Sequence, residues 1–259
     1  MKPGTILYPV KGGTVMVLEV KNLKKRYGKT FAVNGISFEL NRGTIIGLIG
    51  PNGAGKTTTI KCIAGLLKPT EGTVCILGNS IKSPEARSNI AYIPETPDVY
   101  PMLTVWEHLK FIALAFKLEG WEAKAEELID RFDLKDKRNE LCKNLSKGMT
   151  QKVSICCNLL HDPQVILVDE PMVGLDPKAI RELKDAFLSL KEEGKTILIS
   201  THLLDNAQSL CDGVIVMKKG SIVAKGSLDE LRRTVNAGEQ TSLEELFLEV
   251  TGDGGNKYD

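Results

Sequence analysis

The sequence predicts a parallel α/β core interrupted by an all-helical insertion. Three observations carry that expectation. A short apolar run, Ile45–Ile49, leads directly into a glycine-rich stretch, Gly-Pro-Asn-Gly-Ala-Gly-Lys-Thr-Thr at 50–58, and a helical pattern follows it. Val165–Asp169 and Thr196–Ser200 are continuous apolar runs, as strands buried on both faces should be. Between them Pro177–Lys191 reads as a helix, with Ile180, Leu183, Phe187, Leu188 and Leu190 as its apolar residues, and strand–helix–strand alternation builds parallel sheets. The stretch from about 95 to 160 differs in being mostly helical by pattern.

In chain order, residues 1–14 read as a tail, and Met16 is as good a start as Met1. A strand pattern opens at Val15-Met16-Val17-Leu18-Glu19-Val20. The helix after the glycine-rich stretch is expected to place Ile60, Ile63, Leu66 and Leu67 on one face. Thr73–Leu77 and Ala91–Ile93 are further strands. Within the insertion, helices are expected at Thr104–Phe116, Glu122–Phe132 and from Ser146 through Leu160. Thr104 and Glu107 form a capping box, and Ser146 suits an N-cap. Gly213–Met217 and Ser221–Ala224 are the last strands. Two short helices, Leu228–Val235 and Leu243–Val250, flank a polar link at 236–241, and the last nine residues read as a frayed end. The expected organisation is a tail at 1–14, one domain at 15–235 with its helical subdomain at about 95–160, and a short helix with a frayed end at 236–259.

Composition narrows the function classes. At 259 residues the chain can bury a substantial core, and 42% hydrophobic with 26% charged residues is the balance of a soluble globular protein. A net charge of +1 gives no global field for nucleic acid, and 5% aromatic residues offer few platforms for base stacking. The basic stretch Lys21, Lys24, Lys25 and Arg26 reads as a solvated face. No apolar run is long enough to span a bilayer, and the first thirteen residues lack an apolar signal core, so a cytosolic location is expected. The six cysteines show no C-x-x-C spacing and read as reduced, mostly buried thiols.

The chemistry starts at 50–57, which fits G-x-x-x-x-G-K-[ST]. Phosphate oxygens need several N–H donors at close range, and glycines let the backbone curl tightly enough to supply them. A helix starting near Lys56 aims its unpaired N–H groups at the anion. Lys56 adds a point charge on the outer phosphates, and the Thr57 hydroxyl suits Mg²⁺. The loop therefore predicts a bound nucleoside triphosphate but not its use. The strand at 165–169 ends in Asp169 and Glu170. In phosphate-loop enzymes the first such carboxylate holds Mg²⁺ and the second can polarise an attacking water. Taken alone, the same string also suits an apolar strand ending in a solvated turn.

Two further segments specify a family. Residues 145–151 read Leu-Ser-Lys-Gly-Met-Thr-Gln, and Thr201-His202 follows a strand end. The order phosphate loop, Leu145-Ser146-x-Gly148, Val165–Glu170, Gly174-Leu175-Asp176, His202 resembles the ATP-binding subunits of ABC transporters, from about Val15 to Val250. The resemblance implies a phosphate-loop core with a mostly parallel sheet, an antiparallel β-subdomain and the helical insertion. It implies ATP and Mg²⁺ as ligands. Gly50, Pro51, Asn52, Gly53, Ala54, Gly55, Lys56, Thr57 and Thr58 would form the Walker A loop. Tyr27 would stack on adenine; its other reading is a half-buried loop aromatic. Ser146, Lys147, Gly148 and Met149 would cap the ATP of a second subunit. Thr57, Asp169 and Glu95, at the Q-loop position, would serve the metal. Lys56, Glu170 and His202 would be catalytic, with His202 on the γ-phosphate.

The sequence departs from the family pattern at Glu95, where Gln is usual, and at Lys147 and Met149, where Gly and Gln are usual. A carboxylate at 95 can still ligand Mg²⁺, more strongly than an amide. Lys147 either adds charge near the second subunit's ATP or points to solvent. Glu95, the Ser-Lys-Gly-Met form and the segment Ser242–Leu248 resemble subunits that serve ABC-2 type exporters. The resemblance thus implies an ATPase that drives a separate transmembrane permease, paired with a second ATPase subunit, peripheral on the inner face of the membrane. The surface expected to meet the permease is the groove around Glu95–Leu103, with Tyr100, Pro101 and Met102. No nucleic-acid partner is expected. The other classes are an importer subunit and a soluble relative acting on ribosomes or DNA. Against the latter stand a single ATPase unit and the lack of sustained heptads.

Overall fold

The computed structural model describes residues 15–234 and 241–251. The expected tail at 1–14, all but the last residue of the polar link expected at 236–241, and the end beyond 251 lie outside the described residues. Along the chain the elements are β1 (Met16–Tyr27), β2 (Thr30–Asn41), β3 (Ile45–Ile49), α1 (Lys56–Ile63), β4 (Glu71–Ile76), β5 (Asn79–Ser80), α2 (Pro84–Arg87), β6 (Ile90–Ile93), α3 (Val105–Phe116), α4 (Trp121–Arg131) and α5 (Lys147–Leu159). They continue with β7 (Val165–Asp169), α6 (Pro177–Glu192), β8 (Thr196–Thr201), α7 (Leu204–Leu210), β9 (Gly213–Lys218), β10 (Ser221–Gly226), α8 (Leu228–Thr234) and α9 (Leu243–Thr251).

Two sheets form. The core sheet has the order β10-β9-β3-β8-β7-β6, parallel except for β10, which pairs antiparallel with β9. Its central strands alternate with helices in sequence, and β7 and β8 are buried along their whole length, which explains their unbroken apolar runs. The second sheet, β2-β1-β4-β5, is antiparallel and carries alternating burial, one face in and one out. The expected fold class, a mostly parallel sheet with an antiparallel sheet and a helical insertion, is the observed one.

Among the described residues three hydrophobic clusters fill the interior. One joins the core sheet to the insertion and α6, through Ile93, Leu109, Leu128, Val153, Ile166 and Phe187. A second lies between the two sheets and α1, through Leu18, Leu23, Leu48, Ile60, Leu167 and Leu198. Each of these side chains is fully or almost fully buried, and each such burial stabilises by about 1.5–3 kcal/mol. The third seats α9 through Leu243 and Leu246 against Ala207 of α7 and Val216 of β9.

The insertion leaves the sheet after β6 and returns at β7. Its first helix starts with the expected capping box. Thr104 Oγ1 accepts from Glu107 N at 3.1 Å, and the Glu107 carboxylate accepts from Thr104 N at 2.9 Å. Several expectations need correction. Leu66 and Leu67 do not continue α1, which ends at Ile63. Gly65 follows at φ +73 and reverses the chain, leaving Leu66 exposed. β1 runs seven residues beyond Val20, and β2, β5, α2 and α7 were not expected.

Candidate active site

β3 delivers the chain to the loop at 50–55, and α1 starts at Lys56 with Gly55 as its N-cap at φ +103. That left-handed backbone favours glycine, and a Cβ at Gly55 would also run into the Ala32 carbonyl of β2. The first-turn N–H groups of α1 open into a cleft of about 380 Å³, whose lining includes Ala32, Thr58, Glu95, Glu170, Val173 and His202 as well as Pro51 to Thr57. Lys56 is buried. Its Nζ donates to the Gly50 carbonyl at 2.7 Å and lies 3.4 Å from Glu170 Oε1.

β7 and β8 place the acidic end. Asp169 sits in register with Ser200. Asp169 Oδ1 accepts from Thr57 Oγ1 at 3.0 Å and from Ser200 Oγ at 2.5 Å. Glu170 takes a left-handed backbone at φ +46, uncommon for a residue with a side chain, and its N–H donates to both the carbonyl and the Oγ of Ser200. His202 follows β8. Its Nδ1 is 2.9 Å from Glu170 Oε2, and its backbone N–H donates to the same oxygen at 3.3 Å. A carboxylate can only accept, so Nδ1 carries the proton in that contact and Nε2 faces outward. Glu170 is thereby held between a cation and an imidazole, with its own side chain only 10% exposed.

Negative charge concentrates here. The Tyr92 hydroxyl is pushed up to about 12 by burial, with Asp169 and Glu95 adding to the shift. Among the described residues no cluster of three His, Cys, Asp or Glu side chains forms a self-contained metal site. The Thr57 and Asp169 oxygens fit a hard cation that brings further oxygens with a bound phosphate.

Of the expected site residues, Pro51 to Thr58, Glu95, Glu170 and His202 come together at the cleft, with Gly50 under Lys56 and Asp169 beside Thr57. Tyr27 does not line it. It ends β1 opposite Thr30, exposed, with the Lys25 ammonium 5.2 Å from its ring centre. Ser146, Lys147, Gly148 and Met149 also lie outside the cleft of their own chain, at the start of α5. Ser146 Oγ accepts from Met149 N at 3.3 Å, Gly148 faces Ala179 and Leu175, and Lys147 Nζ donates to the Val173 carbonyl at 2.8 Å. Ser200 and Ala32 escaped the sequence reading, and Val173, just ahead of Gly174, lines the cleft. Ser200 was detectable only through its register with Asp169. His108 and His161 are set in packing instead: His108 is buried against Tyr100, and His161 stacks on Phe116 with Nε2 at 3.2 Å from the Ile90 carbonyl.

A family model described as "ABC transporter" matches residues 33–173. The chain is 39% identical over 239 residues to the ABC-type transporter ATP-binding protein EcsA of Bacillus subtilis (strain 168), covering 91% of this chain and 96% of that protein. It is 37% identical over 218 residues to the Nod factor export ATP-binding protein I of Burkholderia orbicola (strain AU 1054), covering 83% of this chain and 72% of that one. A solved structure titled as the ATP binding subunit of an ABC transporter superposes with a TM-score of 0.84 at 40% identity, covering 91% of this chain and 99% of the other.

Proposed function

This chain belongs to the ABC transporter family of ATP-binding proteins, and on that premise we propose that it hydrolyses ATP to drive export through a separate membrane permease. The observation that carries the hydrolytic reading is the contact between Glu170 Oε2 and His202 Nδ1 at the edge of the phosphate cleft, 2.9 Å. Glu170 is the general base that takes a proton from the attacking water. His202 orients that carboxylate through Nδ1–H, and Nε2 contacts the outer phosphate only where it too carries a proton and donates. Lys56 exchanges its contact with the Gly50 carbonyl for the outer phosphates, and the N–H groups of the loop hold the remaining oxygens. Mg²⁺, held by Thr57 and Asp169 with Glu95 facing the same cleft, would neutralise charge on the phosphates when bound.

Ser146, Gly148 and Met149 stand away from their own cleft, which supports a head-to-tail pair in which each copy caps the other's ATP. Binding energy then goes into closure, and hydrolysis resets the pair. No described helix is long and apolar enough to cross a membrane. The permease-facing surface is the groove lined by Tyr92, Pro94, Pro97, Asp98, Ser154 and Asn158, beside exposed Tyr100 and Met102. Export rather than import is supported by Glu95, by the Ser-Lys-Gly-Met turn and by the likeness to a protein named for Nod factor export. The test is purification of the tagged chain from membranes. Recovery of a multi-span permease whose vesicles extrude cargo with ATP supports the reading; recovery of ribosomes, or of a permease with a secreted binding protein, contradicts it. A Met102→Glu chain should keep ATPase activity and recover less permease.

A further inference from the structure

Lys147 occupies the first position of α5, and no acidic residue stands in that first turn. A cation is unfavourable there, because the helix dipole already makes this end positive. Its ammonium spans 26 residues of sequence to donate to the Val173 carbonyl at 2.8 Å. Val173 belongs to the turn that leaves Glu170. Its N–H returns to the Glu170 carbonyl at 3.4 Å, and the residue lines the cleft with Glu170 and His202. The turn starts in left-handed backbone at Glu170, φ +46, and passes through it again at Gly174, φ +72. Gly174 leaves the room that Lys147 uses, since a Cβ there would run into Nζ. A strained turn is thus tied down at its far end by a charge-assisted hydrogen bond from another helix.

We propose that Lys147 is a positioning residue for Glu170 and His202 of its own chain, acting through the Val173 carbonyl. This rests on the reading of Glu170 as general base and of the pair as head-to-tail. Where the residue touched only the second copy's ATP, its role would be in trans; the Val173 contact puts it in cis. In a head-to-tail pair the two roles are separable.

The experiment uses mixed pairs of differently tagged full-length chains, with ATP as the probe and Glu170→Gln to silence one cleft. In the first pair, one copy carries Lys147→Met and the other Glu170→Gln, so the working cleft belongs to the copy lacking the ammonium. In the second, one copy carries both substitutions and the other is unaltered. The first pair should turn over about fivefold more slowly than the Glu170→Gln/wild-type control, with KM unchanged. The second should match the control, and Lys147→Arg should restore the first. The reverse pattern, a raised KM with unchanged kcat, or no difference between pairs overturns the proposal. A Glu170→Gln homodimer running at wild-type rate contradicts the base assignment alone. A fall in kcat at constant KM in the Lys147→Met homodimer, rescued by Lys147→Arg, then still reads the contact.

Discussion

His202 Nδ1 and Glu170 Oε2 meet at 2.9 Å although 32 residues separate them in sequence. Parallel pairing of β7 with β8 brings this about: Asp169 lies opposite Ser200, so the residues just past each strand end emerge side by side. The same carboxylate faces Lys56 of the phosphate loop across its other oxygen. One glutamate therefore joins three segments that the sequence keeps far apart.

Replacing His202 with Ala removes both the orienting contact and the outward imidazole. ATP turnover should fall about a hundredfold, the scale of a positioned acid–base partner. ATP affinity, read by nucleotide fluorescence, should stay within a few-fold of wild type.

Lys56→Met removes the buried ammonium that Glu170 and the loop carbonyls face. A charge-assisted contact to phosphate is lost, so ATP binding measured by calorimetry should weaken by at least about tenfold.

Gly55→Ala places a Cβ at φ +103 and against the Ala32 carbonyl. The strain should cost about 1–3 kcal/mol. A lowered thermal midpoint together with weakened ATP binding is the expected result, because relief requires the loop to move away from β2.

His108 is 3% exposed, and burial lowers its pKa below the ordinary 6.5. Burial favours the neutral ring in the folded chain, so the unfolded chain takes up more protons as pH falls. Its contribution is fully present above about pH 6.5 and is lost below it, by at most about 1.4 kcal/mol per pH unit. His161, lowered mainly by burial, works in the same direction. Urea midpoints should therefore decline from pH 7 to pH 5, and the decline should be shallower in His108→Phe.

The sequence was most legible where one physical demand dominates. Strands buried on both faces, such as β7 and β8, announce themselves as unbroken apolar runs, and a loop that curls around phosphate must be glycine-rich. β2 is half-buried, so its signal is a period-2 alternation rather than an unbroken apolar run. It alternates Val33, Ile36, Phe38 and Leu40 with polar residues, and Asn34-Gly35 breaks the pattern midway. α7 is seven residues long with no side-chain cap. The extension of α1 through Leu66 and Leu67 overlooked Gly65, whose place after the last helical turn is a stop signal. At the site, residue types and spacing singled out Lys56, Thr57, Asp169 and Glu170, and the family resemblance added His202. Ser200 and the contact of Lys147 with Val173 depend on register and on the return of α5 towards α6, which no local pattern encodes.

The most direct test of the hydrolytic account is the turnover of Glu170→Gln beside its ATP binding. The substitution keeps shape and removes the proton acceptor. Turnover should drop by about a hundredfold to ten-thousandfold while ATP still binds and holds two copies together. Hydrolysis at the wild-type rate in a Glu170→Gln chain that binds ATP normally would contradict the assignment of Glu170 as the base.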